Sequence, residues 1–250
     1  MTLSRMIQMN ERWLENNIVK YEKELKKIYQ EVYNDIRNQL GKIYEKYAIA
    51  GELTNAEMTK YNRLTSLEKE LNKIAGQGTL KARAAIGRLQ RQQYQESYYR
   101  YSWAIDNDIG VRAGWGVLRP ESVQAAITNR IAEIAEDRLR QITRERIQRT
   151  IASGLTRGDS FERMAREMRR GTELSMADAM RIARTEGTRA QTLGTPACYD
   201  EAEDMGIELK EYWSAAIDDR TRESHGEMDG VEKEEQGFPF PGLDMLRDPH

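Results

Sequence analysis

The sequence predicts a mainly α protein, with a long N-terminal helical bundle or hairpin followed by a small C-terminal α+β domain. Three observations carry this. Apolar residues recur every three or four positions over the first fifty residues, the spacing of a helix with one buried face. The composition is polar, with 32% charged and 39% hydrophobic residues and a mean hydropathy of −0.80, which suits long, solvent-bathed helices. Near residue 207 the period shortens to the alternation of a strand.

In the first helix the stripe runs Leu14, Ile18, Tyr21, Leu25, Ile28, Val32, Ile36, Leu40, Ile43 and Tyr47. Glu and Lys occupy the other faces, so the stripe is expected to pack against other long helices or a partner chain. After the break at Ala50-Gly51, the spacing Thr54-x-x-Glu57 matches a capping box. It opens a helix through Tyr61, Leu64, Leu67, Leu71 and Ile74 to Gly76. Gly76-Gln77-Gly78 reads as a turn, and a third helix then reaches Trp103. Residues 1–105 thus form a long-helix region. The glycine-rich stretch 106–119 reads as a hinge, and residues 120–250 as a second region. Pro120 starts a helix there, where its missing N–H costs nothing, and that helix ends near Gly154. Asp159 or Ser160 can cap a short helix that Gly171 closes. Ser175-x-x-Asp178 opens another, which Pro196 can kink and Gly206 ends. Ile207–Ala216 is the strand candidate.

No apolar run approaches the roughly 18–20 residues a membrane span needs, and the start, MTLSRMIQMNERW, lacks the apolar core of a signal peptide. The single cysteine, Cys198, excludes an intrachain disulfide and a Cys-based zinc site. It reads as a small buried hydrophobe. The net charge of −2 conceals an asymmetry: residues 200–250 hold 16 acidic and 5 basic groups, leaving the preceding body with an excess of nine positive charges. Such a body could meet nucleic acid through its phosphates. Arg138, Arg140, Arg144, Arg146 and Arg149 are the candidate contacts, although Glu133, Glu136, Asp137 and Glu145 interrupt them as ion-pair partners. The tyrosines of Arg88–Trp103 suit packing between helices better than stacking on bases.

The stretch Glu211–Gly230, EYWSAAIDDRTRESHGEMDG, concentrates titratable groups. Asp218, Asp219 and His225 could be read as the centre of a hydrolase or transferase. A metal site wants several converging ligands and this region has one histidine, while Arg220 and Arg222 can neutralise the aspartates. Glu232-x-Glu234 matches the acidic pair of ADP-ribosyltransferases over three residues, without the Ser-Thr-Ser that accompanies it. We therefore expect no catalysis, no metal and no cofactor, and a polar clasp instead.

In order, Gly154-Leu155-Thr156-Arg157-Gly158, Arg184-Thr185-Glu186, Trp213-Ser214-Ala215, Asp218-Asp219-Arg220-Thr221-Arg222, His225 and Asp229-Gly230 resemble the C-terminal domain of the phage Mu F-like minor head proteins, also called phage head morphogenesis proteins. The resemblance covers roughly residues 120–242. It implies a minor capsid protein of a tailed phage, docked on the portal inside the procapsid and contributing to head assembly and to DNA packaging or ejection. It further implies residence in the virion head, with the host cytoplasm as the place of assembly. The portal, the scaffold or major capsid protein, and genomic DNA bound without sequence preference are the implied partners. The alternative to a capsid role is a free DNA-binding protein. The stripe Leu14, Ile18, Tyr21, Leu25, Ile28, Val32 and Ile36 is the expected docking helix. Arg184, Glu186, Trp213, Asp218, Asp219, Arg220, Arg222, His225, Asp229 and Gly230 are the expected clasp, with Glu186 accepting from Arg220 or Arg222. The family pattern usually continues beyond the Pro-Gly turn to a further strand. Here Pro241-Gly242 leads into LDMLRDPH, so a truncated or shortened tail is expected.

Overall fold

In the computed structural model the first helix, α1, spans Leu3–Tyr47. Its length, about 67 Å at the usual rise, follows from a long, mostly apolar face that buries Met6, Leu14, Ile18, Leu25, Ile36 and Leu40 almost completely. The structure describes residues 2–128, 130–210, 212–213 and 223–232, with the backbone alone at 130–132, 134, 136, 223 and 225. The remaining helices are α2 (Asn55–Thr59), α3 (Arg63–Ile109), α4 (Pro120–Ile127), α5 (Arg130–Arg157), α6 (Phe161–Asp204) and α7 (Glu223–Glu227), with a single 3-10 turn at Lys60–Asn62. Thr54 caps α2, its side chain accepting from the Glu57 N–H.

Two expected breaks are absent. Gly76-Gln77-Gly78 lies within α3, and Gly171 and Ser175 lie within α6. A glycine costs a helix about 1 kcal/mol against alanine, and packing along α1 outweighs that here. A Cβ on Gly78 would stand 2.2 Å from Val32 Cγ2; glycine at this position is what lets α1 approach. Ser175 is fully buried, and its hydroxyl donates to the Gly171 carbonyl one turn back. It continues the helix instead of capping a new one. Pro196 is likewise carried inside α6. The N-terminal region is therefore a two-helix hairpin, not a three-helix one.

Residue pairings set the directions. Asn10 meets Arg100 and Gly78 meets Val32, so α1 and α3 are antiparallel. Gln90 meets Glu186 and Ser97 meets Thr195, so α6 runs parallel to α3. Arg146 meets Asp178 while Gly154 meets Met164, so α5 runs against α6. The result is an up-down-up-down arrangement. In its upper half, α1, α3, α5 and α6 share an apolar core of Ile36, Leu40, Leu71, Ile151, Leu155 and Met164. Further down, Leu139 of α5 still packs with Ile18, Tyr21, Leu89 and Ala183, and beyond it α4 takes the fourth position, burying Val123 and Ile127 against Tyr94 and Ala190.

The chain divides into two compact units, residues 1–198 and 199–250. The expected division at 106–119 does not coincide with this. Residues 110–119 form a strap fastened to the end of α3. Asp106 accepts from the Ala113 N–H (2.9 Å) and the Trp115 indole (2.8 Å), and the Tyr99 hydroxyl accepts from the Leu118 N–H. In the second unit, no strand is present among the described residues of 207–216. Tyr212 makes only an isolated antiparallel bridge to Glu232, so the expected α+β domain reduces, among the described residues, to a bridge and the one-turn α7.

The turn between α5 and α6 carries a buried carboxylate. Arg157 donates to Asp159 at 3.2 and 2.7 Å, and Arg163 stands 3.3 Å away. The hydrogen bonds from Arg157, then the two positive charges, hold the Asp159 carboxyl below the usual carboxylate range against the opposing effect of burial. A depressed pKa means the stabilisation is complete above the unfolded value of about 3.9 and is lost as pH falls through the lower folded one. Asp159→Asn is accordingly expected to cost about 1–2 kcal/mol at pH 7. In thermal melts from pH 7 down to pH 3, the gap between wild type and variant should close below about pH 4. A gap constant across that range would remove the charge from the explanation.

Candidate functional site

The lower half of the bundle is held by a polar seam. Asn17 Nδ2 donates to Gln93 Oε1 (3.3 Å), and Gln93 Nε2 donates to the Leu14 carbonyl (2.9 Å). Gln90 Nε2 and Arg189 Nε both donate to Glu186 Oε2, at 3.0 and 2.9 Å. Ser97 donates to the Gln191 carbonyl and shares a 2.6 Å hydrogen bond with Thr195. Cys198 is fully buried 3.4 Å from the Ser102 hydroxyl. Buried polar groups are tolerated when they are paired, and they penalise any other register. Sequence reasoning missed Gln90, Gln93 and Arg189. A signal was present, since Asn10 and Asn17 interrupt the stripe at core-facing positions.

Small residues let α6 come close enough for this seam to form. Ala179, Ala183 and Ala190 are fully buried. A Cβ on Gly187 would lie 3.1 Å from Leu89 Cδ2, and one on Gly194 only 2.3 Å from the Tyr94 carbonyl oxygen.

The expected docking stripe of α1 is not available to a partner. Leu14, Ile18, Tyr21, Leu25, Ile28, Val32 and Ile36 are all at most 9% exposed, because α3, α5 and α6 cover them. The correction is physical: a helix amphipathic over this length buries its face within its own chain whenever three other long helices are present to receive it.

The expected clasp residues fall in different places. Arg184 reaches across to α1, donating to Glu15 at 2.6 Å and to Glu22 at 2.9 and 3.1 Å. Those hydrogen bonds push its pKa further up. Among the described residues Glu186 is engaged by Gln90 and Arg189; Arg220 and Arg222, its expected partners, lie with Asp218 and Asp219 outside the described residues. His225 sits in α7, its side chain outside them as well. Trp213 and Gly230 do come together. The Trp213 N–H donates to the Val231 carbonyl and the Gly230 N–H to the Trp213 carbonyl, each at 2.8 Å. Asp229-Gly230 makes the turn, with Gly230 at φ 79°, a backbone region open to glycine at little cost. Lys210 pairs with Glu232 at 3.0 Å.

The five candidate arginines of α5 do not form one surface. Arg146 turns inward, donating to Asp178 (2.8 Å) and Ser175 (3.1 Å). Arg138 and Arg149 lie about three turns apart on one side, whereas Arg140 and Arg144 lie roughly half a turn round from them. Arg140 and Arg149 also pair with Asp137 and Glu145. Among the described residues no group of three His, Cys, Asp or Glu side chains could hold a metal, and no helix is long and apolar enough to cross a membrane.

The family described as "Phage Mu protein F like protein" matches residues 145–239. The chain is 32% identical to minor head protein GP7 of Bacillus phage SPP1, over 88% of this chain and 72% of that protein. It is 28% identical to the NAD(+)–arginine ADP-ribosyltransferase EFV of Enterococcus faecalis over 85% of this chain, but spans only 47% of that protein's length. An uncharacterized protein of Haemophilus influenzae shares 30% identity over 34% of this chain and 18% of its own. No solved structure matches the chain.

Proposed function

Since the chain belongs to the phage Mu protein F-like family of bacteriophage minor head proteins, we propose that it docks on the portal of a tailed-phage head and contributes there to assembly and to DNA packaging or ejection. The observation that carries this is the identity to a minor head protein across most of both chains. A structural role suits the seam of α1, α3 and α6, whose buried polar groups are consumed in holding helices in register. The transferase named among the relatives is a protein of which this chain covers less than half. We assign its activity to none of the described residues.

With the α1 stripe buried, docking falls to another surface. We assign it to the end of α3 and its strap, where Tyr99, Trp103, Ile109, Val111 and Val117 are exposed by 41–86%. Clustered exposed apolar side chains on a rigid support are the usual core of a protein interface. The scaffold and the major capsid protein are further partners of the same reading. Genomic DNA is the remaining one, met by the basic body through phosphates. The test is co-sedimentation of the full chain with portal rings. Wild type is expected to travel with the ring and Trp103→Ser/Val117→Ser to lose at least about tenfold in affinity, roughly 1.4 kcal/mol. Wild type that stays behind would remove the portal reading. An undiminished double variant would remove only the surface.

A further inference from the structure

We infer that the trough on α3 beside the α4–α5 elbow, flanked by Arg83, Arg88 and Arg91, is where a DNA phosphate backbone lies against the bundle. This rests on the reading that the body meets packaged DNA, and gives that contact a place. The trough encloses about 510 Å³. Its floor is low because Ala84 and Gly87 are small, and a Cβ at Gly87 would meet only the Arg91 guanidinium, at 3.7 Å. At about 100° per residue, Arg91 continues the line of Ala84 and Gly87 while Arg83 and Arg88 stand on either flank. The three side chains span about 12 Å along the helix axis.

The electrostatics favour an anion. Arg91 donates to Gln124 Oε1 at 3.3 Å, a neutral partner that orients its charge without cancelling it. Arg88 pairs with Glu24, both side chains more than 40% exposed. Such a solvent-screened pair contributes little and can be exchanged for a phosphate, which a guanidinium binds through two parallel hydrogen bonds. Among the described lining residues Glu133 is the one acid. On α5 the candidate arginines Arg138, Arg140, Arg144 and Arg149 diverge around the helix instead of lining one groove.

The experiment is binding of the full chain to random-sequence duplex DNA by fluorescence anisotropy, titrated from 50 to 200 mM salt. Arg83→Gln/Arg91→Gln is expected to reduce the slope of log K against log salt by about 2, close to one unit for each phosphate that the variant no longer neutralises. Arg138→Gln/Arg149→Gln, which removes the same charge from α5, is expected to change it by less than about 0.5. A trough variant with the wild-type slope overturns the assignment. So do equal losses in both variants, which would mean diffuse charge. Poly-glutamate that competes as well as DNA would overturn it in favour of an acidic protein surface. Wild type that binds no DNA would remove the DNA reading itself, a result distinguishable from all of these.

Discussion

Gly194→Ala is expected to be among the most damaging single substitutions in the bundle, although it adds one methyl group. The new Cβ would stand 2.3 Å from the Tyr94 carbonyl oxygen and 3.1 Å from Ser97 Cβ. Because the nearest atom is backbone, no rotamer change relieves the clash. Either α6 moves away from α3 or α3 bends. Overpacking a core ordinarily costs about 1–3 kcal/mol. Here the shift would also part Ser97 from the Gln191 carbonyl and Thr195, so a loss of about 3 kcal/mol or more is expected, at the upper end for point substitutions. Gly76→Ala is the matched control. It too lies inside a helix, but its Cβ would meet nothing within 4 Å, so it should stabilise by about 0.5–1 kcal/mol. Denaturant melts of the two variants should shift in opposite directions. If both shift alike, helix propensity and not interhelical distance governs these glycines.

The second large effect is expected at Arg189. Its guanidinium is the only cation among the described residues bonded to Glu186, a carboxylate 5% exposed. Arg189→Leu would leave that charge buried with Gln90 alone, and stranding one member of a buried pair costs about 3–5 kcal/mol. Glu186→Gln keeps a neutral acceptor for both partners and should cost less. The combination Arg189→Leu/Glu186→Gln should recover most of the loss, since the stranded charge is gone. The double-mutant cycle therefore reads the pairing directly. Additive losses would mean that Arg189 acts through its bond to the Ile127 carbonyl and its packing on α4.

These predictions concern residues of unequal visibility in the sequence. Asn10 and Asn17 could be read from their positions in the stripe, as could Arg184 and Glu186 from the family pattern. That Glu186 faces Gln90 and Arg189 could not be read, because the partner on α3 is 96 residues away. Spacing along one helix says which face a residue occupies, not which helix arrives there. The glycines were legible as glycines and misleading as punctuation. Gly76 and Gly78 suggested a turn, and Gly171 a helix end, because local propensity was weighed without the packing that opposes it.

By itself the sequence determined a mainly helical chain, the buried face of α1, the start of α4 at Pro120, the burial of Cys198 and the membership of a head-protein family. These follow from local spacing, composition and ordered motifs, all properties of neighbouring residues. Only the tertiary structure decided that α3 and α6 run unbroken through their glycines, and that the α1 stripe faces its own chain instead of a partner. It alone decided that 110–119 is a strap on the end of α3, and that Arg83, Arg88 and Arg91 of α3 line a common trough. The reason is the same in each case. A missing Cβ, an apolar stripe or a guanidinium has no fixed meaning until another helix stands within touching distance, and that distance is set by residues far away in the chain.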